Sequence, residues 1–125
     1  MKNIALLAAA AALVAAPALA DTASELTIAQ THAGLAAKAT AVEGVHMHLH
    51  HALNCLVGPG GEGFDATNAN PCAKAGKGVI PDGGAEMKTK LATAISSAQS
   101  GIAATDLATA QKDAQATADA IGAAK

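Results

Sequence analysis

Six consecutive residues, His46-Met47-His48-Leu49-His50-His51, hold four of the chain's five histidines, and Cys55 follows one helical turn after the last of them. Neutral imidazole is the commonest protein ligand for late transition metals, so this concentration points to metal binding. The rest of the chain offers little other chemistry, with no Trp, Tyr or Arg and a single Phe. Residues three and four apart share a face of a helix. His46 and His50 therefore form one stripe, while His48, His51 and Cys55 form a second that points elsewhere, and two partial sites are expected. The expected metal ligands are His46, His48, His50 and His51, with Met47, Cys55 and Met87 as reserve donors. The general affinity order of divalent ions puts copper first, with zinc or nickel as the alternatives.

The element that carries the cluster reads as one long helix. Thr22-Ala23-Ser24-Glu25 has the form of a capping box with Thr22 as N-cap. After it, Ile28, His32, Leu35, Ala39, Val42, His46, Leu49, Leu53 and Leu56 follow one another in unbroken steps of three and four. The pattern predicts a helix over about 23–57, roughly 50 Å long at about 1.5 Å per residue. Gly34 and Gly44 are points for a kink or a close helix contact. His32 sits on the same seam, far from the cluster along such a helix, and reads as a hydrogen-bonded core residue.

Gly58-Pro59 stops this helix, and residues 58–84 are rich in glycine and broken by Pro59, Pro71 and Pro81. They are expected to form a long loop. Cys55 and Cys72 bracket part of it, and the pair reads either as a disulfide pinning the loop, worth about 3 kcal/mol in the chain-entropy model, or as thiolates available to metal. A helical arm is expected over 85–123 with a break near 101–105, where Thr105 is a candidate cap. The fold class is all-α: an antiparallel helical hairpin or a small three- to four-helix bundle with a long Gly/Pro-rich, disulfide-pinned loop. Simple antiparallel packing sets His46 near Ser96, where Leu91 to Gln99 offers no His, Cys or carboxylate. Water, loop groups such as Glu62 and Asp65, or a second chain would then complete the site.

Residues 1–20 read as a signal peptide. Lys2 precedes an apolar stretch from Ile4 to Ala16, and Pro17-Ala18-Leu19-Ala20 supplies a cleavage site before Asp21. The remaining 21–125 suit a single helical domain in the bacterial periplasm or secreted, with no membrane insertion after removal of the signal. A net charge of −2 gives no basic patch for nucleic acid. No nucleophile–base set, phosphate-binding loop or H-E-x-x-H motif is present, so no enzyme is expected.

With its export signal, Ala-rich helices and His46-Met47-His48-Leu49-His50-His51, the chain resembles the small histidine-rich periplasmic metal-binding helical proteins. The resemblance implies an exported protein that buffers, scavenges or delivers a transition metal through His46, His48, His50 and His51. It departs from that family in gathering its histidines once, beside a cysteine-bearing loop. The alternative reading is a structural or protein-interaction helical module with no metal role, and a homodimer fits either.

Overall fold

A computed structural model describes residues 21–125, and the signal peptide expected over 1–20 lies outside them. The described residues are all-helical, with α1 (Thr22–Lys38), α2 (Val42–Val57), α3 (Val79–Lys90), α4 (Ala92–Ala103) and α5 (Leu107–Ala123). None of these helices is long and apolar enough to cross a membrane.

The helix expected across 23–57 is two helices. Ala39 leaves α1 in an extended conformation (φ −64°, ψ 141°), and Ala41, also extended, starts α2 without a side-chain cap. The reason is tertiary. Folding back at 39–41 buries Ala29, Ala33 and Ala36 of α1 with Val45, Leu49, Ala52 and Leu56 of α2, apolar surface that one rod would leave half in water. The broken end is then satisfied from a distance, because the Gln111 side chain of α5 donates to the Ala39 carbonyl at 2.8 Å. Gly44 lies in the first turn of α2, where an added Cβ would crowd the Ala39 side chain.

The ends of the elements differ as well. Asp21, not Thr22, caps α1, its carboxylate accepting from the Ser24 N–H at 3.0 Å, while Glu25 turns inward and is fully buried. Likewise α5 is capped by Asp106 through the Thr109 N–H at 2.9 Å, and the arm breaks twice, at Leu91 between α3 and α4 and at 104–106 between α4 and α5. Helix resumes at Val79, earlier than the expected 85. Pro81 stands in the first turn, where its missing N–H costs nothing, and Gly84 interrupts the helix with a left-handed φ of 72° that suits glycine alone.

α1, α2, α4 and α5 form an up-down bundle in which neighbours run antiparallel. Gln30 of α1 donates to the Ala118 carbonyl of α5, and the ring of His46 on α2 meets the Ala104 carbonyl just past α4. Leu49, Leu53, Leu56, Leu91 and Ile121 are the large fully buried aliphatic groups, each contributing on the order of 1.5–3 kcal/mol. Alanines fill most of the remaining core.

The loop between α2 and α3 is tied down at several points. Cys55 and Cys72 form a disulfide. Buried Asn54 accepts from the Asp65 N–H at 2.8 Å and shares its amide protons among the carbonyls of Asp65, Asn68 and Ala69. Phe64 packs half-buried against the core.

Candidate metal centre

The turn at 39–41 sets the site. His32 lies six residues before the end of α1 and His48 six after the start of α2, so the hairpin brings them level. His51 is one helical turn from His48 on the same face. Together His32, His48 and His51 offer three nitrogens within 4.8 Å of one another, and all three side chains are half-buried.

The spacing can be compared with what an ion needs. Zinc bonds imidazole at about 2.0 Å, so tetrahedral ligand nitrogens stand about 3.3 Å apart and the ring centres about 5 Å. The Nδ1 atoms of His32 and His48 are 3.4 Å apart. Ring centroids are separated by 5.1 Å (His32–His51), 5.6 Å (His32–His48) and 5.7 Å (His48–His51). The His32–His48 edge already has ligand spacing, and all three donor nitrogens lie within 4.8 Å of one another. All three side chains keep part of their surface exposed.

The electrostatics favour the ligating form. Burial lowers the pKa of His32 and His51 below 6.5, and the neighbouring imidazoles lower both further. Both rings are therefore neutral at neutral pH, as metal coordination requires. With no ion, one of the facing Nδ1 atoms donates to the other. The Nδ1 of His51 is buried without any hydrogen-bond partner, an unmet polar atom of the kind that a bound ion satisfies.

Of the remaining expected ligands, His46, His50, Cys55 and Met87 are directed elsewhere. His46 is not part of the group: its Nε2–H donates to the Ala104 carbonyl at 2.9 Å, which fastens α2 to the α4–α5 turn. His50 also stands apart, with Nδ1 3.5 Å from an Asp65 carboxylate oxygen, too long for a hydrogen bond and an ion pair only when the ring is charged. Asp65 itself is held at about 2 by the Thr67 hydroxyl and N–H and by the Asn68 amide. Cys55 is closed in its disulfide and cannot act as a thiolate. Met87 lines a cleft with Thr22, Leu26 and Ala124. Met47 is exposed on α2.

His32 is the residue that sequence reasoning set aside. Its phase on the seam was legible, but its distance from the cluster was measured along a helix that does not continue. The facing-helix register also shifts, with His46 against Ala104 instead of Ser96. A cavity of about 300 Å³ between the loop and the α3–α4 segment, floored by Val57, Ile80 and Ile95, shares no residue with the histidine group. No family model, curated protein or solved structure matches the chain.

Proposed function

We propose that this protein is an exported transition-metal carrier that buffers or delivers its ion from His32, His48 and His51. The observation that carries the reading is the convergence of three imidazoles from two helices at near-ligand spacing. Three imidazole donors on partly exposed side chains suit reversible loading better than a closed structural site. Copper stands first by general affinity, ahead of zinc and nickel. The export expected from residues 1–20 is supported by the Cys55–Cys72 disulfide, since such bonds persist in oxidising compartments. The affinity for the small histidine-rich periplasmic proteins remains part of this proposal.

The test is metal uptake by the protein lacking residues 1–20, followed by native mass spectrometry with copper, zinc and nickel at pH 7.5. Uptake of one ion that is abolished in H32A/H48A/H51A and retained in H46A/H50A is the expected result. Loss in H46A/H50A with retention in the triple variant would return the site to the other stripe. No uptake by the unaltered chain would remove the carrier reading.

A further inference from the structure

We infer that Met47 supplies the fourth ligand of the His32–His48–His51 site and makes copper(I) its preferred ion, an assignment that rests on the metal-carrier reading. Leu35 and Met47 are the strongly exposed large apolar side chains among the described residues, at 45% and 43%. Both stand beside the histidine group. Leu35 follows His32 by one turn of α1, while Met47 directly precedes His48 and lies one turn before His51 on α2. Helical side chains lean toward the N-terminus, so the His51 ring covers the turn to which Met47 belongs.

The other donors are held away from the group, His50 among them, whose Nδ1 faces the Asp65 carboxylate at 3.5 Å. Both cysteines are in the disulfide, His46 bonds the Ala104 carbonyl, and the Asp65 carboxylate is occupied by Thr67 and Asn68. No carboxylate belongs to the histidine group. Met47 remains, unbranched and with rotatable bonds enough to swing its sulfur over the open side without moving the backbone. A thioether is a soft donor that favours Cu(I) and adds little for zinc or nickel. Three imidazoles and one thioether are all neutral, a set matched to a monovalent ion.

The experiment compares the unaltered chain with Met47→Leu, an exposed and nearly isosteric change that keeps the metal-free melting temperature. Cu(I) affinity is measured anaerobically by competition with a chromophoric chelator, and Zn²⁺ affinity in parallel. Met47→Leu is expected to lower Cu(I) affinity on the order of tenfold and leave Zn²⁺ unchanged. X-ray absorption of the Cu(I) form should show a sulfur neighbour that disappears in the variant. Equal Cu(I) affinities, or a copper spectrum with nitrogen neighbours alone, would overturn the assignment of Met47 while leaving the three-histidine site standing. Failure of the unaltered chain to bind either ion, or binding that survives H32A/H48A/H51A, would overturn both.

Discussion

His32→Ala is the perturbation that separates the hairpin site from the contiguous cluster. The site exists only when the turn at 39–41 brings α1 against α2, so an ion bound there stabilises the folded chain. At free metal about 100 times the dissociation constant, linkage gives about 2.7 kcal/mol of added stability. For a domain of about 100 residues each kcal/mol raises the melting temperature by roughly 4–8 °C, so the metal shift should exceed about 10 °C. This is an upper figure, because the unfolded chain keeps some affinity through His46–His51. Removing one of three direct ligands should weaken binding by at least about 100-fold, more than the 10–100-fold typical of changes to groups that only support a ligand. At the same free metal the linkage term then falls to about 0.4 kcal/mol, a shift of only a few degrees. Circular dichroism melts in a metal buffer measure it, with His50→Ala as the control that keeps the full shift. A full shift in His32→Ala, with loss in His50→Ala, would refute the hairpin geometry.

Four further outcomes follow from the same contacts. Burial depresses the pKa of His32 and His51, so metal-free stability is present above the ordinary value of 6.5 and is lost as pH falls through the folded-state values. Urea midpoints should drop between pH 7.5 and 5, less so in H32A/H51A, and a flat profile in the unaltered chain counts against neutral buried rings. Glu25 has the opposite sign. Burial raises its pKa, the Gly78 N–H at 2.9 Å lowers it, and Asp82 and Asp21 raise it again, so stability is complete below about 4.5 and is lost as pH rises through the folded value. Glu25→Gln should therefore gain on the unaltered chain between pH 4.5 and 8 in urea titrations, and a constant difference would contradict the raised pKa. Asn54→Ala leaves buried loop groups unpaired and should cost about 3 kcal/mol, with faster hydrogen exchange at the Asp65 amide as its local sign. Replacing Cys55 and Cys72 together by Ala opens a loop of sequence separation 17 and should cost about 3 kcal/mol by urea unfolding, with metal uptake retained.

Most of the helical content was legible because it is written locally. The buried seam residues Leu49, Leu53 and Leu56 of α2, the stop at Gly58-Pro59 and the change of phase after Ser100 each act through neighbours in sequence. On α1, by contrast, the buried face is Leu26, Ala29, Ala33 and Ala36, one position round from the expected Ile28, His32 and Leu35, and Leu35 is exposed. The break at 39–41 was not legible, since Ala39-Thr40-Ala41 has neither proline nor glycine and keeps the seam in register on both sides. What stabilises it is the Gln111 amide on the Ala39 carbonyl, 72 residues away, together with burial of the two helix faces. The candidate site inherits that division. His48 and His51 were found by spacing on one helix, whereas His32 is joined to them by a contact that no window along the chain contains.

The alanine content that makes the core thin also makes the site reachable. Interaxial distance between packed helices depends on the side chains at the contact, within about 8–10 Å. On α1 the buried positions between Leu26 and the turn are Ala29, Ala33 and Ala36, and Ala33 adjoins His32 directly. Small residues there let α1 approach α2 closely, and two short imidazole side chains can then meet at 3.4 Å without a loop to carry either one. A leucine at Ala33 would add apolar area but push the helices apart, drawing His32 away from His48. The stability forgone in the core is thus tied to the geometry of the three imidazoles. The disulfide and the Asn54 contacts compensate at the other end of α2, where they fix the loop without crowding the histidines.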